Sequence, residues 1–211
     1  MSHPGSWLDD AGSLVSDASV WINLVATERA DVVLRASSVR HLITSTALGE
    51  LEAGRAKGRR TAIVIAELIE IGLISEVALR PAEEETFLGL VAGPISKTLD
   101  DGEAATIAYA LGSGSVALID ERKATALCGN QFPSVKVMST TDLLLSQAVQ
   151  SAMTADDLAD SLFRALLVAR MRVPEHHLPE VCRLLGPERQ QQCRSLPATW
   201  RRPPDARLAV N

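Results

Sequence analysis

Several things this chain lacks narrow what it can be. Aromatic residues are scarce, at 3% of 211 residues, so a core must be built from Ala, Val, Ile and Leu. Cys128, Cys182 and Cys193 are odd in number and show no CxxC spacing, which argues against a disulfide framework and for a reducing compartment. Of the four histidines, only His41 falls at a strand–helix unit, and it begins its strand, so a histidine-based nuclease or a Ser-His-Asp hydrolase lacks a placed base. Positive charge is not in excess: a formal charge of −5 excludes a generally basic, histone-like nucleic-acid binder, though not a local basic patch. Long apolar runs are missing too. The most apolar stretch, TAIVIAELIEIGLI, is interrupted by Glu67 and Glu70 and is too short to cross a bilayer. The N-terminus MSHPGSWLDD has neither the basic nor the apolar region of a signal peptide. The expectation is a cytoplasmic protein with no membrane partner.

What is present is a 46% hydrophobic chain long enough for one ordinary domain and an extension. Residues 1–12 read as a loose leader. SLVS (13–16) reads as a short buried strand running into Asp17 and a helix with Val20, Trp21, Leu24 and Val25 at helical spacing. HLIT (41–44) repeats the pattern, with Ser45 or Thr46 as cap of a helix carrying Glu50 and Glu52. Residues 61–71 read as a helix stopped by Gly72, 74–79 as a strand, and Pro81 as the start of another helix. Asp100 and Glu103 have the spacing of a capping box for a helix ending at Gly112. SVALI (115–119) is a strand, ERKATALC a helix, SVKVM (134–138) a strand and DLLLSQAVQSA a helix. Strands alternating with helices predict βα units on a mostly parallel sheet, an α/β class. Thr154 and Asp157 then cap a long amphipathic helix, and Pro174 opens one more. The division expected is a domain over 13–150, a helical extension over 151–186 and a disordered tail over 187–211, rich in Arg, Gln and Pro, with no aromatic stacking pattern apart from Trp200.

Asp17, Glu50, Glu103 and Asp120 all fall at, or within the first turns after, the C-terminal end of a predicted strand. That edge of an open parallel sheet is where ligands bind. Singly, each has an ordinary explanation: Asp17 and Asp120 are good caps, Glu103 a capping-box partner, Glu50 a solvated helix residue. Brought together, two carboxylates about 5 Å apart repel by roughly 3 kcal/mol at an effective dielectric near 20, and such a cluster needs protons or a cation. Oxygen-only ligands favour Mg²⁺ or Mn²⁺ over zinc. A metal-activated water attacking a phosphodiester needs no histidine. The run Arg55, Lys57, Arg59, Arg60 suits a helix C-terminus and also suits a phosphate backbone. GSGSVA (112–117) follows a helix and precedes a strand, the reverse of the dinucleotide-binding order. Glu175, His176, His177, Cys182 and Cys193 match no standard zinc spacing, so buried Cys182 and surface histidines are expected.

Four segments resemble the PIN-domain nucleases, the fold of VapC-type toxins. SDASVWINL (16–24) is similar to the first motif of that family, and Glu50–Leu51 to the second. LDDGEAATIAYAL (99–111) resembles the L-D-x-G-E-A run of one branch. VALIDERKA (116–124) looks like the following strand with its terminal Asp, and Thr140 resembles a hydroxyl residue near the fourth acid. The resemblance covers about Leu14 to Leu145. It implies a three-layer α/β/α sandwich on which Asp17, Glu50, Glu103 and Asp120 bind Mg²⁺ or Mn²⁺ for RNA cleavage. It also implies a homodimer and a toxin paired with a protein antitoxin. The rival is an inactive PIN-like scaffold that binds a protein partner through its helical extension. A receiver-like acidic pocket would need a lysine beside it, and Lys123 and Lys136 do not sit at strand ends.

Overall fold

Short buried strands alternating with helices build a parallel sheet in the computed structural model, which describes residues 6–55, 60–94 and 98–201. In chain order the elements are α1 (Ser6–Asp9), β1 (Ser13–Ser16), α2 (Ala18–Ala26), α3 (Ala30–Arg35), β2 (Arg40–Thr44), α4 (Ser45–Arg55), α5 (Thr61–Glu70), β3 (Ile74–Val77) and α6 (Pro81–Val91). There follow α7 (Asp101–Ser113), β4 (Val116–Leu118), α8 (Arg122–Gln131), β5 (Val137–Met138), α9 (Thr140–Leu144), α10 (Gln147–Ala152), α11 (Ala155–Val168), a 3₁₀ turn (Glu175–His177) and α12 (Leu178–Gln192). The sheet runs β3-β2-β1-β4-β5 with every pairing parallel. The chain moves outward from β1 through β2 to β3, then returns to the other side of β1 for β4. Strand order therefore reverses between β1 and β4, the place where such sheets bind ligands.

Alternation along the strands separates two cores, because successive side chains point to opposite faces. Leu14, Ile43, Val116 and Leu118 pack on one face with Trp21 and Leu24 of α2 and with α4 and α5. Val15, Leu42, Ala117 and Ile119 pack on the other with Leu90 of α6, Ala104 and Ile107 of α7, and Ala124 and Cys128 of α8. This is the expected three-layer sandwich.

The segment after Ser151 is not peripheral. Leu158, Leu162 and Leu166 of α11 and Val181 and Leu185 of α12 belong to the same core as Trp21 and Leu24. Residues 187–192, expected in a disordered tail, are helical: α12 kinks at Gly186 (φ +70°) and continues through Pro187. Gln190 Nε2 then donates to the Cys182 carbonyl at 2.6 Å, and Cys193 and Leu196 are buried. The expected loose leader contains α1, whose Trp7 and Leu8 are buried in that core as well.

Two helix ends differ from expectation. Thr44, rather than Ser45 or Thr46, caps α4, its Oγ1 accepting from Ala47 N–H at 3.2 Å. α7 runs through Gly112 and stops at Gly114 (φ +72°), the left-handed position glycine favours. Gly112 is needed for a different reason: a Cβ there would lie 2.4 Å from the buried Glu83 carboxylate. Among the described residues, no helix is long and apolar enough to cross a membrane.

Candidate functional site

The register of β1 on β4 sets two buried acids side by side. Ser16 pairs with Leu118, and Asp17 N–H donates to the Leu118 carbonyl at 3.1 Å, so Asp17 leaves the sheet beside the end of β4. Asp120 follows two residues after Leu118. Both carboxylates are buried, at 4% and 5% exposure. Asp17 caps α2 as the ordinary reading has it, Oδ2 accepting from Ser19 N–H at 3.2 Å and Ser19 Oγ–H at 2.7 Å. Asp120 does not cap its own helix. Glu121 does, accepting from Ala124 N–H at 2.7 Å. Asp120 is held instead by Asn23 Nδ2 at 2.6 Å, by Thr140 N–H at 2.8 Å and by the Thr140 hydroxyl.

Glu103, in the first turn of α7, is buried and accepts from Asp100 N–H at 3.4 Å. On α4 it is the exposed Glu50 that reaches across, its Oε1 accepting from Gly102 N–H at 2.7 Å. The approach is close enough that a Cβ at Gly102 would sit 2.6 Å from Glu50 Oε2. The glycine in D-D-G-E thus opens the mouth of α7 to a carboxylate from another helix, where free N–H groups and the helix dipole favour negative charge.

Electrostatics show which acids lie near enough to raise one another. Burial is the main cause raising each of the four carboxyls above its ordinary range. The Asp17 charge adds to that rise in Glu50, Glu103 and Asp120, and Glu103 is pushed up to about 7. The other three acids lie around Asp17, with Asp100 adding negative charge to Asp17, Glu50 and Glu103. They do not close tightly. Among the described residues, the group whose ligand atoms all lie within 4.8 Å of one another is Asp142, His176 and His177. The donors around Asp17 are nevertheless all carboxylate oxygens, mutually repelling and half-desolvated, a set suited to a hard divalent cation.

A cleft of about 540 Å³ opens on this edge, lined by Asn23, Glu103 and Asp120 together with Arg122, Arg170 and Arg172. Arg172 Nη1 donates to the Asp120 carbonyl at 2.9 Å, and Arg170 adopts a left-handed backbone (φ +57°). These arginines were not legible as site residues, because VARMRVP reads as the fraying end of an amphipathic helix. Its one available signal is the Arg-x-Arg pair ahead of a proline. Of the basic run expected to meet phosphate, Lys57 and Arg59 lie outside the described residues. Arg55 ends α4 and Arg60 precedes α5, and neither lines this cleft.

A family model described as a PIN domain matches residues 13–187. Neither the curated proteins nor the solved structures include a match to the chain.

Proposed function

The chain belongs to the PIN-domain family, and from that premise we propose that it is a metal-dependent ribonuclease. The observation that carries the reading is the gathering of Glu50, Glu103 and Asp120 about Asp17 at the strand-order reversal, where Glu103 and Asp120 share a cleft with three arginines. Asp17, Glu103 and Asp120 would hold Mg²⁺ or Mn²⁺, and Glu50 would complete the site or orient the attacking water. A cation bound there supplies positive charge to a phosphodiester oxygen and acidifies water. Asn23 and Thr140 keep Asp120 in one rotamer, so its oxygens are placed before anything binds.

Arg122, Arg170 and Arg172 suit the phosphates flanking the cleavage point, since a guanidinium offers a fork of donors that matches phosphate oxygens. They replace the Arg55–Arg60 run as first candidates for backbone contact. RNA as substrate, a toxin role with a protein antitoxin, and a homodimer all rest on the family resemblance.

The test is cleavage of a mixed RNA substrate with Mg²⁺ or Mn²⁺ by the full chain. Asp17→Asn and Asp120→Asn should abolish it while leaving the circular dichroism spectrum unchanged. Arg170→Ala with Arg172→Ala should weaken RNA binding and flatten its salt dependence. No cleavage by the wild type with either metal, or equal cleavage by the aspartate variants, overturns the reading.

A further inference from the structure

A second cluster of ligating side chains stands apart from the cleft and lines none of it. The 3₁₀ turn carries two adjacent imidazoles, His176 and His177, with ring centroids 4.1 Å apart. Both direct Nε2 toward one oxygen: His177 lies 2.7 Å from Asp142 Oδ1, and His176 lies 3.8 Å from the same atom. The other carboxylate oxygen, Oδ2, is occupied by Ser139, whose backbone N–H and hydroxyl donate to it at 2.8 and 2.6 Å. Ser139 thereby fixes the carboxylate plane and leaves Oδ1 presented to the two rings. A ligating carboxylate tied down on its outer oxygen is the usual arrangement behind a bound metal.

A strut between α9 and the 3₁₀ turn would need only His177. The second imidazole, 68% exposed, contributes nothing to such a strut at 3.8 Å. Two ligands each about 2.05 Å from a tetrahedral centre stand about 3.3 Å apart, between the two observed separations. Two imidazoles and one carboxylate are borderline donors that suit zinc better than Mg²⁺.

We propose that Asp142, His176 and His177 form a zinc-binding site, with water completing a four-coordinate shell. Zinc there clasps the turn containing Thr140, which holds Asp120, to the segment that follows Arg170 and Arg172. The ion fastens the segment carrying the arginines to the turn that holds Asp120, without taking part in the chemistry of the cleft. The inference does not depend on nuclease activity.

Its test uses metal-stripped full-length protein titrated with Zn²⁺ by calorimetry, with Co²⁺ absorption reporting a tetrahedral nitrogen-containing shell. The wild type should take up one Zn²⁺ and melt at a higher temperature with it. An Asp17→Asn, Glu103→Gln double variant, impaired at the other site, should bind Zn²⁺ as the wild type does. His176→Ala removes an exposed side chain, so its metal-free melting temperature should match the wild type while its Zn²⁺ affinity falls at least about tenfold. Undiminished Zn²⁺ binding by His176→Ala, no binding by the wild type, or loss of binding only in the double variant overturns the site; the last result would place zinc at the carboxylates.

Discussion

Replacing Glu103 with Gln should make the metal-free protein more stable at pH 8 and leave it unchanged at pH 4.5. Burial first, and the Asp17 charge second, raise this carboxyl from 4.5 to about 7 in the folded chain. The folded state therefore holds a proton that the unfolded chain has already released. The stability tied to that proton is fully present below pH 4.5 and is lost as pH rises through 7. A carboxyl so displaced carries about 3 kcal/mol of unfavourable ionisation at high pH, reduced to about 2 kcal/mol by water screening at the cleft mouth. Glutamine keeps the shape and an acceptor for Asp100 N–H but has no charge to bury.

The assay is urea or thermal unfolding in EDTA at pH 4.5 and pH 8. For a chain of this size, about 2 kcal/mol corresponds to a melting temperature roughly 4–8 °C higher for the variant at pH 8. Saturating Mn²⁺ at pH 8 should then stabilise the wild type by mass action on the folded state, and the variant much less. A gap between the two proteins that is the same at both pH values would refute the argument. So would a variant less stable than wild type at pH 8.

Other perturbations separate structure from function. Gly102→Ala should leave unfolding free energy within about 1 kcal/mol, since alanine suits a helix better than glycine, yet it should displace the Glu50 carboxylate and weaken Mn²⁺ binding by calorimetry. His41 is buried neutral, its ordinary value lowered by burial to about 4. The stability it protects is present above pH 6.5 and lost as pH falls to 4, by about 3 kcal/mol. Because Glu103 acts oppositely across that window, His41→Leu is best compared in the Glu103→Gln background, where it should flatten the acid limb of the stability curve. Leu162→Ala, fully buried on α11, should cost about 3 kcal/mol in urea unfolding; a value below about 1 kcal/mol would mean that the α11–α12 segment is not part of the main core.

Much of this architecture was legible because local signals and tertiary packing agree. SLVS, HLIT and SVALI each have the short apolar length of a strand covered on both faces, and each is followed by helix-opening residues. The departures occur where a local signal has a second use. Gly112 looks like a helix stop, but its missing Cβ makes room for Glu83, and the stop falls at Gly114. Pro187 looks like the start of a disordered tail, but the kink at Gly186 lets the helix resume and bury Gln190. The site's contacts were hidden because they run across the chain: Arg172 meets the backbone of Asp120 52 residues away, and Glu50 meets Gly102 at the same separation.

Capping and ligation look alike in a sequence, since both place an acid where a strand gives way to a helix. They differ in which partners the carboxylate keeps. Asp17 bonds to Ser19 of its own helix, and a cap needs no more. Asp120 leaves capping to Glu121 and takes its donors from Asn23 on α2 and Thr140 on α9. None of these contacts supports the helix that Asp120 precedes. They hold a buried charge in place against its own desolvation and against Asp17, an arrangement that costs stability in the metal-free chain. Glu103 and Glu50 raise that cost further, because burial and the Asp17 charge push both carboxyls the same way. Helix capping accounts for Asp17 and Glu103 taken singly, but not for Asp120 or for the reach of Glu50 to the mouth of α7. The proposed divalent cation would account for all four together.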